Sequence, residues 1–579
     1  MNIKESYKIL FLLFIVLGVY YPALFAGINS VDDWRMLSDL EDTESFDFLQ
    51  LFSPSTGFYY RPLLMLTFIM DKFLWGLEPS FMHLENILLH AANTILVFYI
   101  AKQISSEKVK DHCEIPLLAA LFFALHPIST ESVNWISGRT DLLGTTFILL
   151  SFLLLLKGVV KGSSLFVVFS SFCLVLGIMS KEIMLFFYPV GCSLLFFWPT
   201  LNAPPKSERN QRLKFLLLFS LPFLAGGILY LVFRVLLFSQ NDHGADHLSQ
   251  FSQYVSWKMV TSTFKIYGFY IKKLFFPLPL NFAITQISSY YIWVGVGAFF
   301  VTLFLLIKRS IVSVFFLVAF YLITPAIIIG IAGVTWTPIA ERYIYLSSAF
   351  WSIGLATLLF RFINLGRMQT VVISLVSTFL LFGSAFITSN RNIQWQENIN
   401  LYADTIKKNS DFTAINNEYA IALIDAGQFA EAEKQLMDGI NKPNNKNPLL
   451  YINLARIKIE QHNYEEARQV LSRSFVTKED AHPEVLKMLS TVGEQRIMIG
   501  DEKDESAKRI LIMDLLDTYT FIYKKTKSPH ATYRYGQLAL AIGLKNEARD
   551  AFASAYKEAP DSAHYKKAAG ILAKKLTEE

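Results

Sequence analysis

The sequence predicts an all-α protein in which a polytopic membrane helical bundle of about eleven spans precedes a short α-solenoid. Three observations lead to this fold class. Of the 579 residues, 53% are hydrophobic and 17% charged, with a mean hydropathy of +0.37, which excludes an ordinary soluble enzyme. Residues 390–579 carry 27 basic and 27 acidic side chains, whereas residues 1–389 carry only 26 and 21. The last third also repeats internally. We therefore expect two domains, 1–389 in the membrane and 390–579 in water.

The membrane domain is predicted from apolar runs, because a span needs about 20 apolar residues. The first run follows Lys4 and Lys8, as a signal peptide would, but it is longer than the roughly 7 to 15 residues of a signal peptide's apolar region, which favours an anchor. The eleven runs lie at 9–27, 83–101, 116–130, 140–156, 163–179, 183–198, 215–236, 290–307, 311–332, 343–360 and 369–388.

The orientation follows from the basic residues between these runs. The N-terminus and the connections near 102–114, 157–162, 199–214, 308–309 and 361–367 together contain fifteen Lys and Arg residues, which predicts a cytoplasmic location. An odd number of spans then places the C-terminal region and the remaining connections outside. No Asn begins an N-x-Ser/Thr sequon, so we expect a bacterial inner membrane with a periplasmic tail, the alternative being an endoplasmic reticulum membrane with a lumenal tail.

The tail contains a recurring pattern of a small residue, a turn residue and an alanine. The pattern predicts a helix, a short turn and a second helix in each unit, in which small residues let the two helices approach closely. A degenerate unit lies around Gly500 to Ala507. With it, the spacings between the successive alanines Ala432, Ala467, Ala507 and Ala548 are 35, 40 and 41 residues, close to the tetratricopeptide period. Such a solenoid serves stability, dimerisation or acceptor binding. The three clear units are Ala420, Gly427, Ala432; Ala455, His462, Ala467; and Gly536, Gly543, Ala548.

Two adjacent carboxylates, Asp32 and Asp33, follow the first predicted span in the sequence GINSVDDWRML. Such a pair commonly caps a helix or solvates a loop. The alternative is a general base, since a carboxylate next to an acceptor hydroxyl removes its proton as the oxygen attacks a sugar carbon. We take Asp33 as the first choice for this base and Asp32 as the second.

Further polar residues are predicted at the same membrane surface. His83, Asn86, His90 and Asn93 fall on one side of the second span, where hydrogen bonding between helices competes with ligand binding as an explanation. His126, Glu131, Arg139 and Asp141 lie between the third and fourth spans, and SKE at 180–182 and ERYIYL at 341–346 follow at later external ends.

Four cations among these residues suit an anionic phosphate, because Arg binds phosphate bidentately and Lys as a point charge. Structural ion pairs are the alternative for each of them. The predicted phosphate-binding residues are Arg61, Arg139, Lys181 and Arg342, with His83, His90, His126, Glu182 and Glu341 in supporting roles.

These motifs form an ordered series along the chain: DD at 32–33, YRPL at 60–63 with LWGL at 74–77, HLEN at 83–86 with LHAAN at 89–93, LHPISTE at 125–131 with WISGRTDLL at 135–143, SKE, ERYIYL, and RNIQWQENINLYADTIKKN at 391–409. The series resembles the transmembrane-and-tetratricopeptide O-mannosyltransferase group and its bacterial relatives over residues 20 to about 440. This resemblance implies a GT-C glycosyltransferase fold, a polyprenyl-phosphate-linked sugar, with mannose as the candidate, and an acidic motif in the first external loop, which Asp32 or Asp33 matches.

The predicted function is therefore transfer of a sugar from a polyprenyl-phosphate donor to a protein or glycan acceptor, with the tail as a candidate holder of the acceptor. Attack opposite the lipid phosphate would invert the anomeric centre. The partners are thus the lipid-linked sugar, the acceptor and membrane lipid, with no nucleic acid. Cys113, Cys173 and Cys192 form no metal motif, so we expect no cofactor, although a divalent metal stays open.

Two alternatives remain at this stage. The first is an oligosaccharide ligase or polymerase that uses a lipid diphosphate donor; the acidic pair after the first span favours the single-sugar transferase over it. The second is a non-catalytic membrane scaffold whose repeats recruit other proteins, which does not require the charges at many external span ends.

Overall fold

The computed structural model describes residues 3–41, 60–105, 115–201, 209–238, 257–308, 310–333, 337–363, 367–409, 412–443, 445, 447–500 and 504–578. Cys113 and parts of the predicted cytoplasmic connections lie outside these ranges. Within them the regular structure is helical, and the only β-type pairing is an isolated bridge between Ile284 and Ile339. The predicted all-α fold class is confirmed.

The chain divides into two compact units, residues 1–409 and 410–579. The division therefore falls twenty residues after the boundary expected from charge, and the segment from 390 to 409 packs with the first unit. The helices of the first unit are α1 (Ile3–Tyr20), α2 (Asp33–Glu41), α3 (Pro62–Trp75), α4 (Pro79–Ser105), α5 (Ile115–Ala124), α6 (Ser129–Asn134), α7 (Arg139–Lys161), α8 (Ser164–Ser180), α9 (Tyr188–Leu201), α10 (Arg209–Phe238), α11 (Trp257–Phe275), α12 (Tyr291–Lys308), α13 (Ile311–Tyr321), α14 (Thr324–Ala332), α15 (Tyr345–Ile363), α16 (Arg367–Gln394) and α17 (Asn398–Lys408).

All eleven apolar runs of the sequence are helical, but they differ in length. Among the described residues, eight helical segments are long and apolar enough to cross a membrane: Lys4–Phe25, Pro79–Ser105, Ile136–Lys161, Asn210–Val235, Tyr291–Lys308, Ile311–Ala332, Glu341–Arg361 and Met368–Gln394. The other three runs correspond to shorter apolar helices at Ile115–Ala124, Ser164–Ser180 and Glu182–Phe196. The first unit is thus a multi-pass membrane bundle, and large apolar side chains such as Phe379 and Ile307 are exposed on its surface, as lipid contact requires.

One helix of the first unit, α11, was not predicted from the sequence. Lysines interrupt its apolar residues, among them Lys272 and Lys273, so it does not read as a span. It packs closely on α12, because a Cβ atom added to Gly268 or to Gly295 would overlap the backbone of the other helix. Only glycine allows this approach between the two helices.

The interior of the bundle combines aromatic packing with a few satisfied polar groups. Phe152 contacts Phe187 and Phe350 edge to face, with ring centroids 6.0 and 5.1 Å apart. Ser151 and Ser170 join α7 to α8, since each hydroxyl donates to the other residue's carbonyl at 2.7 and 2.8 Å. Such contacts hold apolar helices together where water is absent. They fix α7, whose first residue, Arg139, belongs to the candidate site.

The second unit contains the predicted helical repeats. Its helices are α18 (Thr413–Asp425), α19 (Phe429–Ile440), α20 (Pro448–Glu460), α21 (Tyr464–Ser472), α22 (Pro483–Ile499), α23 (Glu505–Thr526), α24 (Pro529–Ala541), α25 (Lys545–Glu558) and α26 (Lys566–Glu578). The turn residues of the three clear repeats, Gly427, His462 and Gly543, all have positive φ, at 73°, 61° and 83°. A Cβ on Gly536 would lie 2.9 Å from the Phe552 ring, which explains a small residue there.

The degenerate repeat differs from the other three. Gly500 has the expected left-handed conformation, with φ at 70°, but Ala507 lies in the first turn of α23 and is half-buried, whereas the corresponding alanines are buried. The close approach between α22 and α23 occurs instead at Gly493, where a Cβ would lie 2.6 Å from Leu515. This unit is thus a helical pair of a different length, and α23 has 22 residues.

Candidate functional site

The polar motifs of the first unit converge on one buried segment, residues 125–139, which connects α5 to α7 through α6. Nearly every side chain of this segment is buried. Three of its residues contact three distant parts of the chain: Glu131 binds Arg342, Trp135 lies beneath the same guanidinium, and Ser137 binds Asp33. The segment therefore joins the acidic pair to one of the predicted cations.

The structure distinguishes the two members of the acidic pair. Asp33 begins α2 and is 1% exposed; its Oδ1 accepts from the backbone N–H of Ser137 at 2.9 Å and from the Ser137 hydroxyl at 2.5 Å. Its Oδ2 accepts from the N–H of Asn29 at 3.2 Å. Burial raises the pKa of Asp33 to about 7, although these hydrogen bonds lower it, and the charge of Asp32 adds to the rise. Asp32, in contrast, is an exposed residue.

Arg139 is enclosed in the protein, with 0% of its side chain exposed. Its guanidinium donates to Asp71 at 2.6 Å, Asn86 at 3.1 Å and the carbonyl of Met82 at 3.1 Å, and it lies 3.0 Å from a Glu85 carboxylate oxygen. The donors of this arginine are thus engaged by groups of α3 and α4. Its contacts are those of an internal anchor rather than those of an open phosphate ligand.

The other three predicted cations each have a carboxylate partner. Arg61 donates two hydrogen bonds to Oε2 of Glu182, at 3.2 and 3.0 Å, and Lys181 lies 2.6 Å from Asp141. Arg342 pairs with Glu131 and has its guanidinium 4.5 Å from the centroid of the Trp135 ring.

Lys181 lies close enough to Arg61 and Arg342 for both charges to affect it. The pKa of Lys181 is lowered first by burial and then by the charges of Arg61 and Arg342, although Asp141 opposes the change. Burial likewise raises the pKa of Glu131, and the Arg342 charge opposes that rise. We call Arg61, Lys181 and Arg342 the cation cluster. Each of its positive charges is paired with a carboxylate, and the three ion pairs lie in a region of low solvent exposure, where electrostatic interactions are strong.

Glu341 stands next to the cation cluster in the chain but has a different partner. Its Oε1 lies 2.5 Å from the buried Nζ of Lys273 and accepts from the N–H of Asn281 at 3.1 Å. Lys273 was not predicted as a site residue from the sequence, because it lies in α11, which does not read as a span. Arg234, on α10, was not predicted either; it lies 3.3 Å from Glu182. A charged residue at the end of an apolar run was the signal available for Arg234.

Among the three histidines predicted to support the site, His90 and His126 hold helices and loops together through hydrogen bonds. His90 contacts the Tyr345 hydroxyl at 2.7 Å and the Ala124 carbonyl at 3.1 Å, which joins three helices. His126 accepts from the N–H of Ile128 and donates to the carbonyl of Leu274 at 3.0 Å. His83 is 1% exposed beside the backbone of the loop that follows α1. The interhelical alternative therefore accounts for the contacts of His90.

The loop that carries the acidic pair is held by the segment from Asn392 to Tyr402, which we call the bracing segment. Asn398 donates to the carbonyl of Ile28 at 2.9 Å, and Tyr402 donates to the Asn29 side chain at 3.2 Å and contacts Ser30 at 2.8 Å. Asn29 in turn donates its backbone N–H to Asp33. The motif that precedes the repeats is therefore a direct support of the acidic-pair loop.

Two more residues of the bracing segment extend this support towards the membrane helices. Asn392 donates to the carbonyl of Val19 at 2.8 Å and accepts from Asn134 at 2.7 Å, while Gln396 donates to the carbonyl of Pro22 at 2.8 Å. In the part of the chain that the structure describes, no group of three or more His, Cys, Asp or Glu residues has the arrangement of a metal site.

Comparison with known proteins agrees with the resemblance seen in the motifs. No family model matches the chain. It is 40% identical to human protein O-mannosyl-transferase TMTC1 over 94 residues, 16% of this chain and 10% of that protein. It is 43% identical to human protein O-mannosyl-transferase TMTC4 over 103 residues, 16% of this chain and 14% of that protein. It is 24% identical to protein O-mannosyl-transferase F38B6.6 of Caenorhabditis elegans over 393 residues, 66% of this chain and 53% of that protein. The chain spans about half the length of this last relative and less of the other two.

Proposed function

Because the chain is similar to the transmembrane-and-tetratricopeptide protein O-mannosyl-transferases, we propose that it is an integral membrane glycosyltransferase. In this proposal it transfers a sugar, with mannose as the first candidate, from a polyprenyl-phosphate donor to a hydroxyl group of a protein acceptor. The observation that carries the proposal is the direct connection between the acidic-pair loop and the cation cluster through Glu131, Trp135 and Ser137. The names of the relatives support a protein acceptor.

We assign the general base to Asp32 and a positioning role to Asp33, which reverses the preference drawn from the sequence. Asp33 has both carboxylate oxygens bound by backbone or hydroxyl donors and is 1% exposed, so it is poorly placed to reach an acceptor. Asp32 is exposed beside it. In the reaction, Asp32 takes the hydroxyl proton, the hydroxyl oxygen bonds to the anomeric carbon, and the bond from that carbon to the lipid phosphate breaks. Attack from the face opposite the phosphate inverts the anomeric centre.

The cation cluster neutralises the phosphate that leaves. Arg61, Lys181 and Arg342 converge within one low-exposure region, and this charge stabilises the developing phosphate anion. Their carboxylate partners keep the cluster near neutrality before the donor enters. For Arg139 we propose a positioning role instead of the predicted phosphate contact, since its donors already bind groups of α3 and α4.

We propose an extracytoplasmic site, with the repeat unit on the same side, on the basis of the Lys and Arg distribution, and a bacterial inner membrane on the basis of the missing N-x-Ser/Thr sequons. The repeat unit is proposed to hold the acceptor, because stacked helical repeats form extended binding surfaces. A lipid-linked donor arrives by diffusion within the bilayer and a hydrophilic acceptor arrives from water, so a site at the ends of the helices is accessible to both.

The test is transfer by the purified full-length protein in lipid nanodiscs. Radiolabelled polyprenyl-phosphate mannose, glucose and N-acetylglucosamine are incubated with envelope proteins from the source cell, and label in protein is counted. We expect label transfer from one of these donors only. Transfer from a lipid-diphosphate oligosaccharide alone would favour the ligase or polymerase alternative, and no transfer from either donor class would favour the scaffold.

A further inference from the structure

Arg234 stands apart from the predicted site because it lies near the end of α10, where the neighbouring exposed side chains are apolar. The span Asn210–Val235 has a mean hydropathy of 2.3 in its most apolar window, and Leu231, Val232 and Val235 are all exposed. The Arg234 side chain is 34% exposed among them. A cation at a lipid-facing position is costly, so such a residue usually has a partner and a function.

The partner of Arg234 is Glu182, which also binds Arg61. Oε2 of Glu182 accepts from Nε and Nη2 of Arg61 at 3.2 and 3.0 Å, and Oε1 lies 3.3 Å from Nη1 of Arg234. The two guanidinium groups come from α10 and from the residue before α3, so two separate elements enclose one anionic group. A phosphate has the charge and the oxygen acceptors that suit the same pair of guanidinium groups.

The position of Arg234 is set by packing. Nη1 of Arg234 donates to the Tyr230 hydroxyl at 3.3 Å, and this hydroxyl donates to the carbonyl of Tyr60 at 3.0 Å, next to Arg61. Further along α10, a Cβ on Gly226 would lie 2.8 Å from Val175 of α8, so the two helices pack closely. These contacts hold the Arg234 end of α10 against the segment that carries Arg61.

The exposure of the cations falls in steps from the outer surface of the bundle to its interior. The side chains of Arg234, Arg61 and Lys181 are 34%, 17% and 6% exposed, and the Arg61 charge is felt at Lys181. An anion that reaches the bundle from the side of α10 therefore meets Arg234 first, then Arg61 and then the rest of the cation cluster. Arg139, in contrast, is fully enclosed.

From these contacts we propose that Arg234 and Arg61 form a lateral entrance for the phosphate of a membrane-borne lipid, and that Glu182 is an internal anion which this phosphate displaces. The proposal rests on the proposed function, because it takes the lipid-linked donor as the ligand, and it adds the route by which that donor reaches the cation cluster. Glu182 partly neutralises the two guanidinium groups and keeps them in position until a phosphate replaces its carboxylate.

The experiment measures binding without transfer. Full-length protein is incorporated into nanodiscs of neutral lipid, and binding of tritiated polyprenyl phosphate, which carries no sugar, is titrated. Arg234→Gln should weaken binding by roughly tenfold or more, the effect of losing one charge-assisted hydrogen bond. Arg212→Gln is the matched control, because Arg212 lies on the same helix roughly 33 Å away and should leave binding unchanged.

Glu182→Gln separates the displacement proposal from a purely structural role. Removal of the competing charge should tighten polyprenyl phosphate binding several-fold, whereas a carboxylate that only holds the arginines in place would weaken binding on substitution. Arg234→Lys keeps the charge and should give intermediate binding, which guards against misfolding as the cause of the Arg234→Gln result. Weakening by Glu182→Gln, or equal weakening by Arg212→Gln, would overturn the proposal.

Two further ligands identify the source of the phosphate. Phosphatidylglycerol in the nanodisc should compete only weakly, and inorganic phosphate should not compete at millimolar concentration; equal competition by either would overturn an entrance for this lipid. Because the readout is binding, the variant pattern can hold while every sugar-transfer assay is negative, and that result would reject the proposed function but keep the entrance.

Discussion

At the scale of single residues, the main result is the different surroundings of two adjacent aspartates. Asp33 is buried and accepts hydrogen bonds from Asn29 in its own loop and from Ser137 in the segment before α7, whereas the preceding residue, Asp32, is exposed. Adjacent residues at the start of a helix point in different directions, so one can serve the fold while its neighbour serves the reaction. Both roles depend on the same short loop.

This division predicts different effects of two amide substitutions on turnover. Asp32→Asn should lower single-turnover transfer by ~10²- to 10⁴-fold, as expected for removal of a general base, with donor binding unchanged. Asp33→Asn keeps one oxygen that accepts from Ser137 and should lower turnover less. Equal transfer by wild type and the Asp32→Asn protein would exclude Asp32 as the base, and the larger loss in Asp33→Asn would restore the preference drawn from the sequence.

The pKa of Asp33 predicts a pH dependence of stability. Burial raises this pKa to about 7 in the folded protein, from about 3.9 in an unfolded chain. Between about pH 3.9 and about pH 7 the Asp33 carboxyl is therefore protonated in the folded state and ionised in the unfolded state. Stability from this residue is therefore greatest at low pH and falls as the pH rises towards 7. Between pH 5 and 8 the Asp33→Asn protein should gain ~2 to 3 kcal/mol relative to wild type. Thermal unfolding of the two proteins in detergent at several pH values measures this difference in stability. Parallel curves of stability against pH for the two proteins would refute the prediction.

Arg139 gives a third test at this scale. Arg139→Gln leaves the buried Asp71 carboxylate without its partner and should destabilise the protein by ~3 to 5 kcal/mol, whereas Asp71→Asn leaves Arg139 paired with Glu85 and should cost less. The paired substitution Arg139→Met with Asp71→Leu should recover much of this loss. Donor binding per folded molecule should change little in the paired variant, whereas Arg342→Gln should weaken it. A paired variant that is stable but does not bind the donor would return Arg139 to the phosphate site.

At the scale of elements, the bracing segment couples the start of the tail motif to the acidic-pair loop. Asn398 and Tyr402 reach Ile28 and Asn29, and Asn29 reaches Asp33. The segment lies more than 360 residues from these contacts in the chain. Its polar residues therefore act on a loop at the other end of the membrane unit.

This coupling predicts a selective loss in bracing variants. Asn398→Ala and Tyr402→Phe should lower kcat by several-fold with little change in the KM for the donor, because they loosen the loop of the base and leave the cation cluster intact. Asn400→Ala is the control, since its amide binds only the nearby Glu397 in the described contacts. Faster hydrogen exchange of the backbone amides at 27–33 should accompany the loss. Unchanged hydrogen exchange together with unchanged kcat would show that the acidic-pair loop does not depend on these contacts of the bracing segment.

At the scale of the whole molecule, a membrane unit and a repeat unit occur in one chain. The proposed reaction requires the site at the ends of the membrane helices and the repeat unit to face the same side of the membrane. The basic residues between spans predict a cytoplasmic N-terminus and an extracytoplasmic repeat unit. The charge-balanced composition of residues 390–579 fits exposure to water on either side, so composition alone cannot decide the orientation.

Cysteine labelling tests the orientation in intact cells. In a background with the three native cysteines replaced by serine, Lys434→Cys, which is exposed on α19, should react with an impermeant maleimide. Lys214→Cys, near the start of α10, should react only after permeabilisation. The reverse pattern would place the proposed site in the cytoplasm and remove the basis for an extracytoplasmic reaction.

The features that depend on local composition and spacing are predictable from the chain alone. Apolar runs, the change of charge near residue 390 and the small residues at Ala432, Ala467 and Ala548 appear in any reading of the chain, because solvent exposure and helix packing act on each segment separately. The structure then has helices at all eleven runs and left-handed turns at Gly427, His462 and Gly543. Helix α11 was not predicted, because its lysines interrupt the apolar run and the face that packs on α12 is not apparent from the sequence.

The pairing of the charges, in contrast, depends on how distant parts of the chain fold together. The carboxylate partner of Arg342 lies 211 residues away at Glu131, and that of Arg61 lies 121 residues away at Glu182. The sequence predicts that the cations lie at one membrane surface, but it contains no local signal for these pairs, for the enclosure of Arg139 or for the burial of Asp33 beside an exposed Asp32. Such features arise when distant helices pack, because burial and charge pairing depend on all the neighbours of a residue and not on its neighbours in sequence.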